Sequence, residues 1–405
     1  MIKTEGGICA AKGFKAAGIH CGIRKNKTKR DLSLIVSDVK AAAAATYATN
    51  LVKGAPITVT KENIADGYAQ AVICNSGNAN TCNANGIEIA EAMCSLCEQF
   101  TGIDATDVVV ASTGVIGQPL DLAPIANGME ALVNDLTYDG SLRAAEGIMT
   151  TDTRVKEIAY KFNIGGKECT IGGIAKGSGM IHPNMATMLG FITSDVAITP
   201  EVLHAVLKAD VEDSFNMVSV DGDTSTNDMC CVLANGMAEN PIIDSVDSED
   251  CKTFKEALFA VTSYLCRMIA RDGEGATRLM EVTVSGAATK AVAKTVAKSV
   301  ACSSLLKAAI FGADANWGRV LCAIGYSGAE LDVNKVGVSF KSKAGAIEVC
   351  RNGAGVDFSE EIAKEILLEE EIQILITLDS GDATATAWGC DLTYDYVKIN
   401  GDYRT

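Results

Sequence analysis

Lys176-Gly177-Ser178-Gly179-Met180-Ile181-His182-Pro183-Asn184-Met185-Ala186-Thr187-Met188-Leu189 sits near the middle of this 405-residue chain. Its second half contains a candidate self-cleavage bond, Ala186–Thr187. Attack of the Thr187 hydroxyl on the Ala186 carbonyl, an N→O acyl shift, followed by hydrolysis of the ester, would leave Thr187 as an N-terminal residue. A free α-amine beside a hydroxyl supplies nucleophile and base from one residue, and an α-amine titrates near about 7.7–8.0, so a usable fraction is neutral at pH 7. Gly177, Gly179 and Pro183 suit a tightly turned backbone. Taken locally, the favoured reading of Thr187 is the bland one, the first residue of a buried strand over 187–193. Lys176 is not a phosphate-loop lysine. A Walker loop needs Gly before it and Ser or Thr after it, whereas Ala175 precedes and Gly177 follows. It can bind a carboxylate as a point charge, or sit solvated in its turn.

Outward from this loop, short aliphatic and β-branched runs alternate with amphipathic, Ala-rich segments. The pattern predicts strands over 32–36, 71–74, 108–111, 158–162, 168–173, 279–285, 336–340, 370–378 and 383–388. It predicts helices over 86–100, 122–135, 200–215, 250–271 and 359–368, with Pro200 in the first turn of its helix and Thr199 as the cap. The fold class expected is α/β, with layered sheets and helices, and the length favours two packed lobes. There is no internal repeat and no Pro/Ser-rich linker. The natural division is the proposed cut, giving an α chain of 1–186 and a β chain of 187–405. Both pieces are expected to stay assembled, because each contributes strands and helices to shared cores.

Composition narrows the function. Hydrophobic residues make up 48% and charged residues 21%, with a net charge of −16. Such an acidic surface gains no counterion release from nucleic acid and is repelled by anionic membranes. No apolar run is long enough to span a bilayer, and the first thirty residues do not have the layout of a secretory signal. The basic cluster Arg24-Lys25-Asn26-Lys27-Thr28-Lys29-Arg30 is expected to be a solvated turn. Fifteen cysteines without an export signal are expected to be reduced, small apolar residues. Cys94-Ser95-Leu96-Cys97 has the C-x-x-C spacing but lies in a helical pattern, and no second half-site completes a zinc site. Cys230-Cys231 falls in a strand-like apolar run. With only His20, His182 and His204 available, and no nucleophile elbow beside any of them, a base other than histidine is favoured.

Several segments are too polar and Gly-rich for plain core. Asn75-Ser76-Gly77-Asn78-Ala79-Asn80 and Ser112-Thr113-Gly114-Val115-Ile116-Gly117 each follow a predicted strand, where backbone N–H groups can form an oxyanion hole. Asp221-Gly222-Asp223-Thr224-Ser225-Thr226-Asn227-Asp228 has the look of a cation loop but lacks the closing Glu of an EF-hand, which favours a structural turn. The segments 271–278 and 311–319 are turn-rich and either structural or site-lining.

Taken in order, Gly13-Phe14-Lys15-Ala16-Ala17-Gly18, Asn75–Asn80, Ser112–Gly117, Met149-Thr150-Thr151-Asp152-Thr153, Lys176–Leu189, Asp272–Thr277, Phe311–Arg319 and Asn400-Gly401-Asp402-Tyr403-Arg404-Thr405 form a set of motifs. By them the chain resembles the ornithine acetyltransferase / bifunctional glutamate N-acetyltransferase family of arginine biosynthesis. The resemblance implies an α/β sandwich reminiscent of N-terminal-nucleophile hydrolases, with Thr187 as self-generated nucleophile after the cut behind Ala186. It implies Thr113 and Gly114 as the oxyanion-hole pair, and Thr150, Lys176, Thr187, Glu274, Asn400 and Thr405 as substrate contacts. The implied reaction is acetyl transfer from N2-acetylornithine to glutamate, in the cytoplasm. No cofactor or metal is implied, and acetyl-CoA enters as a candidate co-substrate. The implied assembly is a heterotetramer of two α and two β chains. Two rivals are a self-processed amidohydrolase or aminopeptidase, in which water takes the acyl group, and a non-catalytic binding protein.

Overall fold

The computed structural model describes residues 1–182 and 188–401. Ala186, Thr187 and Thr405 lie outside the described residues. The strands, in chain order, are β1 (Ile2–Thr4), β2 (Phe14–Ile19), β3 (Leu32–Tyr47), β4 (Tyr68–Asn78), β5 (Val108–Val115), β6 (Lys156–Ile164), β7 (Lys167–Lys176), β8 (Leu189–Ser194), β9 (Val218–Ser219), β10 (Met229–Ala234), β11 (Leu279–Ala287), β12 (Gly337–Ser342), β13 (Gly345–Arg351), β14 (Ala354–Gly355), β15 (Glu371–Thr377) and β16 (Ala383–Cys390). They form two mixed sheets. The nine-stranded sheet runs β1-β6-β7-β8-β10-β3-β4-β5, with β2 paired along the first half of β3. The seven-stranded sheet runs β14-β13-β12-β15-β11-β16-β9.

Helices fill the space between the sheets. The long helix Glu249–Arg271 packs on β6 and β7 of the first sheet and on β11 and β16 of the second, and helix Pro200–Asp213 packs beside it on β3. Both start as their sequences require. Thr199 Oγ1 accepts the Val202 N–H at 3.4 Å and Ser248 Oγ accepts the Cys251 N–H at 3.1 Å, which satisfies N–H groups the first turn leaves open. Glu281 of β11 faces Arg267 of the long helix. Strand alternation therefore turns Met280, Val282 and Val284 to the opposite face, where helix Lys290–Cys302 packs on β11 and β16. The largest core lies across these layers, and two smaller ones lie under helices Ser141–Ile148 and Gly86–Thr101. The expected α/β layering is observed.

Strand β3 is far longer than the predicted 32–36. Its second half, Ala41–Ala45, shows no polar alternation because both faces are covered. Ala42 and Ala44 join the large core, while Ala41, Ala43 and Ala45 join the core on the other face. The predicted strand and helix positions are otherwise reproduced, whereas helices Ala55–Asn63, Ser141–Ile148, Lys290–Cys302, Ser304–Phe311, Trp317–Gly325 and Tyr394–Asn400 were not anticipated. Cys94 and Cys97 are buried in helix Gly86–Thr101 and all fifteen thiols are free, as expected of apolar cysteines. Burial pushes the Cys94 thiol up to about 12 and the Cys97 thiol up to about 11. Among the described residues, no helix is long and apolar enough to cross a membrane.

Candidate active site

β4 and β5 run parallel, and most of the polar segments 75–80 and 112–117 forms their C-terminal ends, with only 79–80 and 116–117 beyond them. Ser76 lies opposite Thr113 and Gly77 opposite Gly114, with the register broken at Gly77–Asn78. Gly114 has φ +133°, and a Cβ there would fall 2.3 Å from the Gly77 carbonyl carbon. Only glycine lets the two backbones meet so closely. The asparagines lock this crossing. Ser112 Oγ donates to Asn75 Oδ1 at 2.6 Å, Asn75 Nδ2 donates to the Asn78 carbonyl at 3.0 Å, and Asn80 N donates to Asn78 Oδ1 at 2.8 Å.

The strand ends open into a small cavity of about 110 Å³. Its walls contain Thr113, Gly114, Thr150, Lys176, Glu274 and Asn400, all the described residues that the sequence nominated for substrate or transition-state contact. They come from five separate segments, so the fold brings together what the sequence scatters. A larger groove of about 680 Å³, between the long helix and the second sheet near Phe259, Tyr264 and Trp388, contains none of them.

Lys176 ends β7. It is 3% exposed, and its Nζ donates to Thr113 Oγ1 at 3.4 Å. Among the described residues no carboxylate lies within ion-pair distance of it, and burial pulls its pKa below the ordinary lysine range while Asp152 nearby opposes that. A buried cation at the wall of a cavity, with its nearest carboxylates beyond ion-pair distance, attracts an anionic ligand. The same cavity is lined by Glu274, whose Oε2 accepts from Asn400 Nδ2 at 2.7 Å. Gly179 has no side chain because the Glu274 carboxylate covers it, with Oε2 2.3 Å from where a Cβ would stand. The cavity lining therefore offers both a cation and a carboxylate.

Behind the cavity lies a buried ion cluster. Lys156 Nζ contacts Asp152 Oδ1 at 2.7 Å and Asp272 Oδ2 at 2.6 Å, with all three side chains at most 2% exposed. Asp152 also accepts the Gly177 and Thr150 N–H groups at 2.7 and 3.0 Å. Burial alone would raise its carboxyl, but Lys156 and Lys176 hold it far below the carboxylate range. Asp152 thereby fixes the backbone on both sides of the cavity.

The segment 221–228 is tied to its neighbours by hydrogen bonds, and part of it is also site wall, which sequence reasoning missed. Among the described residues no cluster of His, Cys, Asp and Glu could hold a metal ion. Ser225, Thr226 and Asn227 line the cavity. Asn227 Nδ2 donates to the carbonyls of Ala79 and Ser112 at 2.6 and 2.9 Å. Asp221 accepts the Met180 and Ile181 N–H groups at 2.5 and 2.8 Å, and Asp228 accepts that of Met188 at 2.8 Å. The basic cluster 24–30 is only partly the solvated turn expected. Lys25 to Lys29 are exposed, but Arg24 is half-buried and its Nη2 donates to the Met149 carbonyl at 2.6 Å, just before Thr150. His182 Nδ1 faces Ser219 Oγ at 3.4 Å and Cys302 Sγ at 3.7 Å.

Comparison with known proteins gives the class: this is an acyltransferase, and it serves arginine biosynthesis. The chain belongs to the ArgJ family, whose model matches residues 15–405. It is 48% identical over 406 residues to the arginine biosynthesis bifunctional protein ArgJ of Caldanaerobacter subterraneus subsp. tengcongensis, covering 100% of both chains. To the protein of the same name from Symbiobacterium thermophilum it is 50% identical over 407 residues, again covering 100% of both. Among solved structures, it is similar to that of arginine biosynthesis bifunctional protein argJ from Bacillus halodurans, at 45% identity and a TM-score of 0.50. That match covers 52% of this chain and 97% of the other.

Proposed function

We propose that this enzyme moves an acetyl group from N2-acetylornithine to glutamate through an acetyl-enzyme on Thr187, made available by self-cleavage of Ala186–Thr187. The observation that carries the proposal is the cavity itself. One small space is lined by a buried lysine with no carboxylate in ion-pair distance among the described residues, by the Glu274 carboxylate, and by the Thr113–Gly114 strand end. N2-acetylornithine presents the complementary set: a carboxylate for Lys176, a distal ammonium for Glu274 and Asn400, and an amide carbonyl between them. Thr150 and Thr405 complete the substrate contacts.

In this reading Thr187 Oγ1 attacks the acetyl carbonyl while the Thr187 α-amine takes the hydroxyl proton. Negative charge gathers on the carbonyl oxygen, where the Gly114 backbone and the Thr113 hydroxyl act as oxyanion donors. The amine returns the proton to the departing ornithine nitrogen. Glutamate then enters the same pocket, its carboxylate on Lys176, and its α-amine takes the acetyl group. One acyl-enzyme serving two substrates in turn gives ping-pong kinetics. Acetyl-CoA acts as a second acetyl donor in the same scheme, and no metal or resident cofactor takes part.

The α chain 1–186 and β chain 187–405 remain one body after the cut, since β7 and β8 pair across it over six residues and β10 of the β chain pairs with β3 of the α chain. Two α and two β chains then form a cytoplasmic heterotetramer. Denaturing electrophoresis with N-terminal sequencing tests the core of the reading. Wild-type protein should give two chains, one beginning at Thr187, and Thr187→Ala should give one intact inactive chain. A single uncleaved chain with full acetyl transfer to glutamate would falsify it. Transfer measured separately from N2-acetylornithine and acetyl-CoA decides whether both donors serve.

A further inference from the structure

The Thr113–Gly114 strand end is framed by a single side-chain amide. The register of β4 and β5 breaks at Gly77–Asn78, so the strand ladder alone does not set the spacing of the two ends. Asn227 sits across this break. Its Nδ2 donates to the Ser112 carbonyl at 2.9 Å, one residue before Thr113, and to the Ala79 carbonyl at 2.6 Å. Ala79 in turn donates its N–H to the Val115 carbonyl at 2.9 Å, one residue after Gly114. Thr113 and Gly114 thus lie between two backbone groups that Asn227 connects. The peptide bond is planar, so holding the Ser112 carbonyl also sets the direction of the Thr113 N–H and the course of the chain into Gly114.

The amide is itself fixed. Thr81 Oγ1 donates to Asn227 Oδ1 at 2.6 Å and Thr226 Oγ1 donates to it at 2.5 Å. Asn227 N donates to Ser225 Oγ at 3.0 Å. A carboxamide has two N–H donors and an oxygen with two lone pairs, and all four places are taken. Asn227 therefore lines the cavity, 7% exposed, yet has no hydrogen bond left for a substrate. Behind it stands Gly54, outside the cavity lining, where a Cβ would fall 2.5 Å from Asn227 Nδ2 and 2.7 Å from its Cγ. A side chain held at four points cannot swing away from such a Cβ without breaking its bonds. We propose that Asn227 is the positioning residue of the oxyanion strand end, holding Thr113 and Gly114 in place without touching the substrate. This rests on the reading of Thr113 and Gly114 as oxyanion donors. Such donors act by standing ready where charge develops in the transition state, so a brace that works only through them governs kcat and leaves KM alone.

Asn227→Ala removes the brace, and Gly54→Ala displaces it from outside the cavity, so either folded variant supplies the result. Acetyl transfer from N2-acetylornithine to glutamate is measured at steady state for each, per processed chain counted on denaturing gels, with a melting curve alongside. In N227A kcat is expected to fall about 10²-fold, the scale of one oxyanion donor, with KM for both substrates near wild type; G54A should shift the same way by a smaller factor. Thr113→Ala should cost about 10²-fold in the wild-type background. In N227A it should cost less than about tenfold, because a donor already out of place has less to lose and coupled residues are not additive. Wild-type kcat in folded N227A or G54A, a change confined to KM, or costs of N227A and T113A that simply multiply would each overturn the brace. Wild-type kcat in T113A alone overturns the oxyanion reading instead, a separate outcome of the same assays.

Discussion

The sharpest residue-scale constraint is the absence of a side chain at Gly114. With φ at +133° and a Cβ landing 2.3 Å from the Gly77 carbonyl carbon, Gly114→Ala must push β4 and β5 apart where they form the cavity. The contact is with backbone, so no rotamer change relieves it. We expect G114A to lose about 10²–10³ in kcat, the scale of one misplaced oxyanion donor, with a smaller change in KM. Steady-state kinetics with both substrates check this. A variant that loses only KM would remove Gly114 from the transition state. The segment 112–117 stood out in the sequence as a polar, Gly-containing run after a Val-rich strand, and the family resemblance singled out Thr113 and Gly114 within it. Asn227 was not legible. Its role is to tie Ala79 and Ser112 together from 148 and 115 residues away, and nothing local to 221–228 announces such partners. Arg24 was missed for the same reason, hidden among lysines that really are solvated.

At the scale of elements, what holds the cavity's rear wall is the Lys156 bridge between Asp152 and Asp272. It ties the start of β6, the turn after helix Ser141–Ile148 and the end of the long helix. Asp272 also accepts the Thr153 and Arg154 N–H groups at 3.0 and 3.2 Å. Lys156→Met would leave two carboxylates buried without their cation. Removing one partner from such a cluster typically costs about 3–5 kcal/mol, and chemical denaturation should read a loss of that size. The wild-type bridge also has a pH signature. Asp152 is held below its ordinary value, so its contribution is present above that value and disappears as pH falls through the folded one. K156M should lose the part of this acid-side dependence that Lys156 supplies, with Lys176 and the Gly177 N–H keeping the rest, and a K156M protein as stable as wild type at pH 7 would deny the bridge its structural part. The elements themselves were readable wherever one face meets water or a cap stands out, as at Thr199-Pro200. They were unreadable where both faces are covered, as in Ala41–Ala45, or where a helix is as short as Ser141–Ile148.

For the molecule as a whole, both sheets close on the helix pair Pro200–Asp213 and Glu249–Arg271, so a charge buried there bears on global stability. Asp210 is such a charge. It lies on the first helix, 9% exposed, with Ser214 Oγ donating to its Oδ2 at 3.0 Å. Burial raises its carboxyl to about 7, against hydrogen bonds from Thr262 and Ser214, with Asp213 adding to the rise. The folded pKa exceeds the unfolded one, so the folded state holds this proton more tightly. The group's stabilising contribution is complete below the unfolded value near about 3.9 and is lost as pH rises to about 7. The slope is at most about 1.4 kcal/mol per pH unit. Asp210→Asn keeps the hydrogen-bonded shape without a titrating proton. Its stability relative to wild type should therefore rise steadily from pH 4 to pH 7 and then level off. Paired denaturant unfolding of the two proteins across that range reads the difference directly and cancels the opposing slope of groups such as Asp152. A difference that stays flat from pH 4 to 7 would mean that Asp210 is ionised in the core already at pH 4.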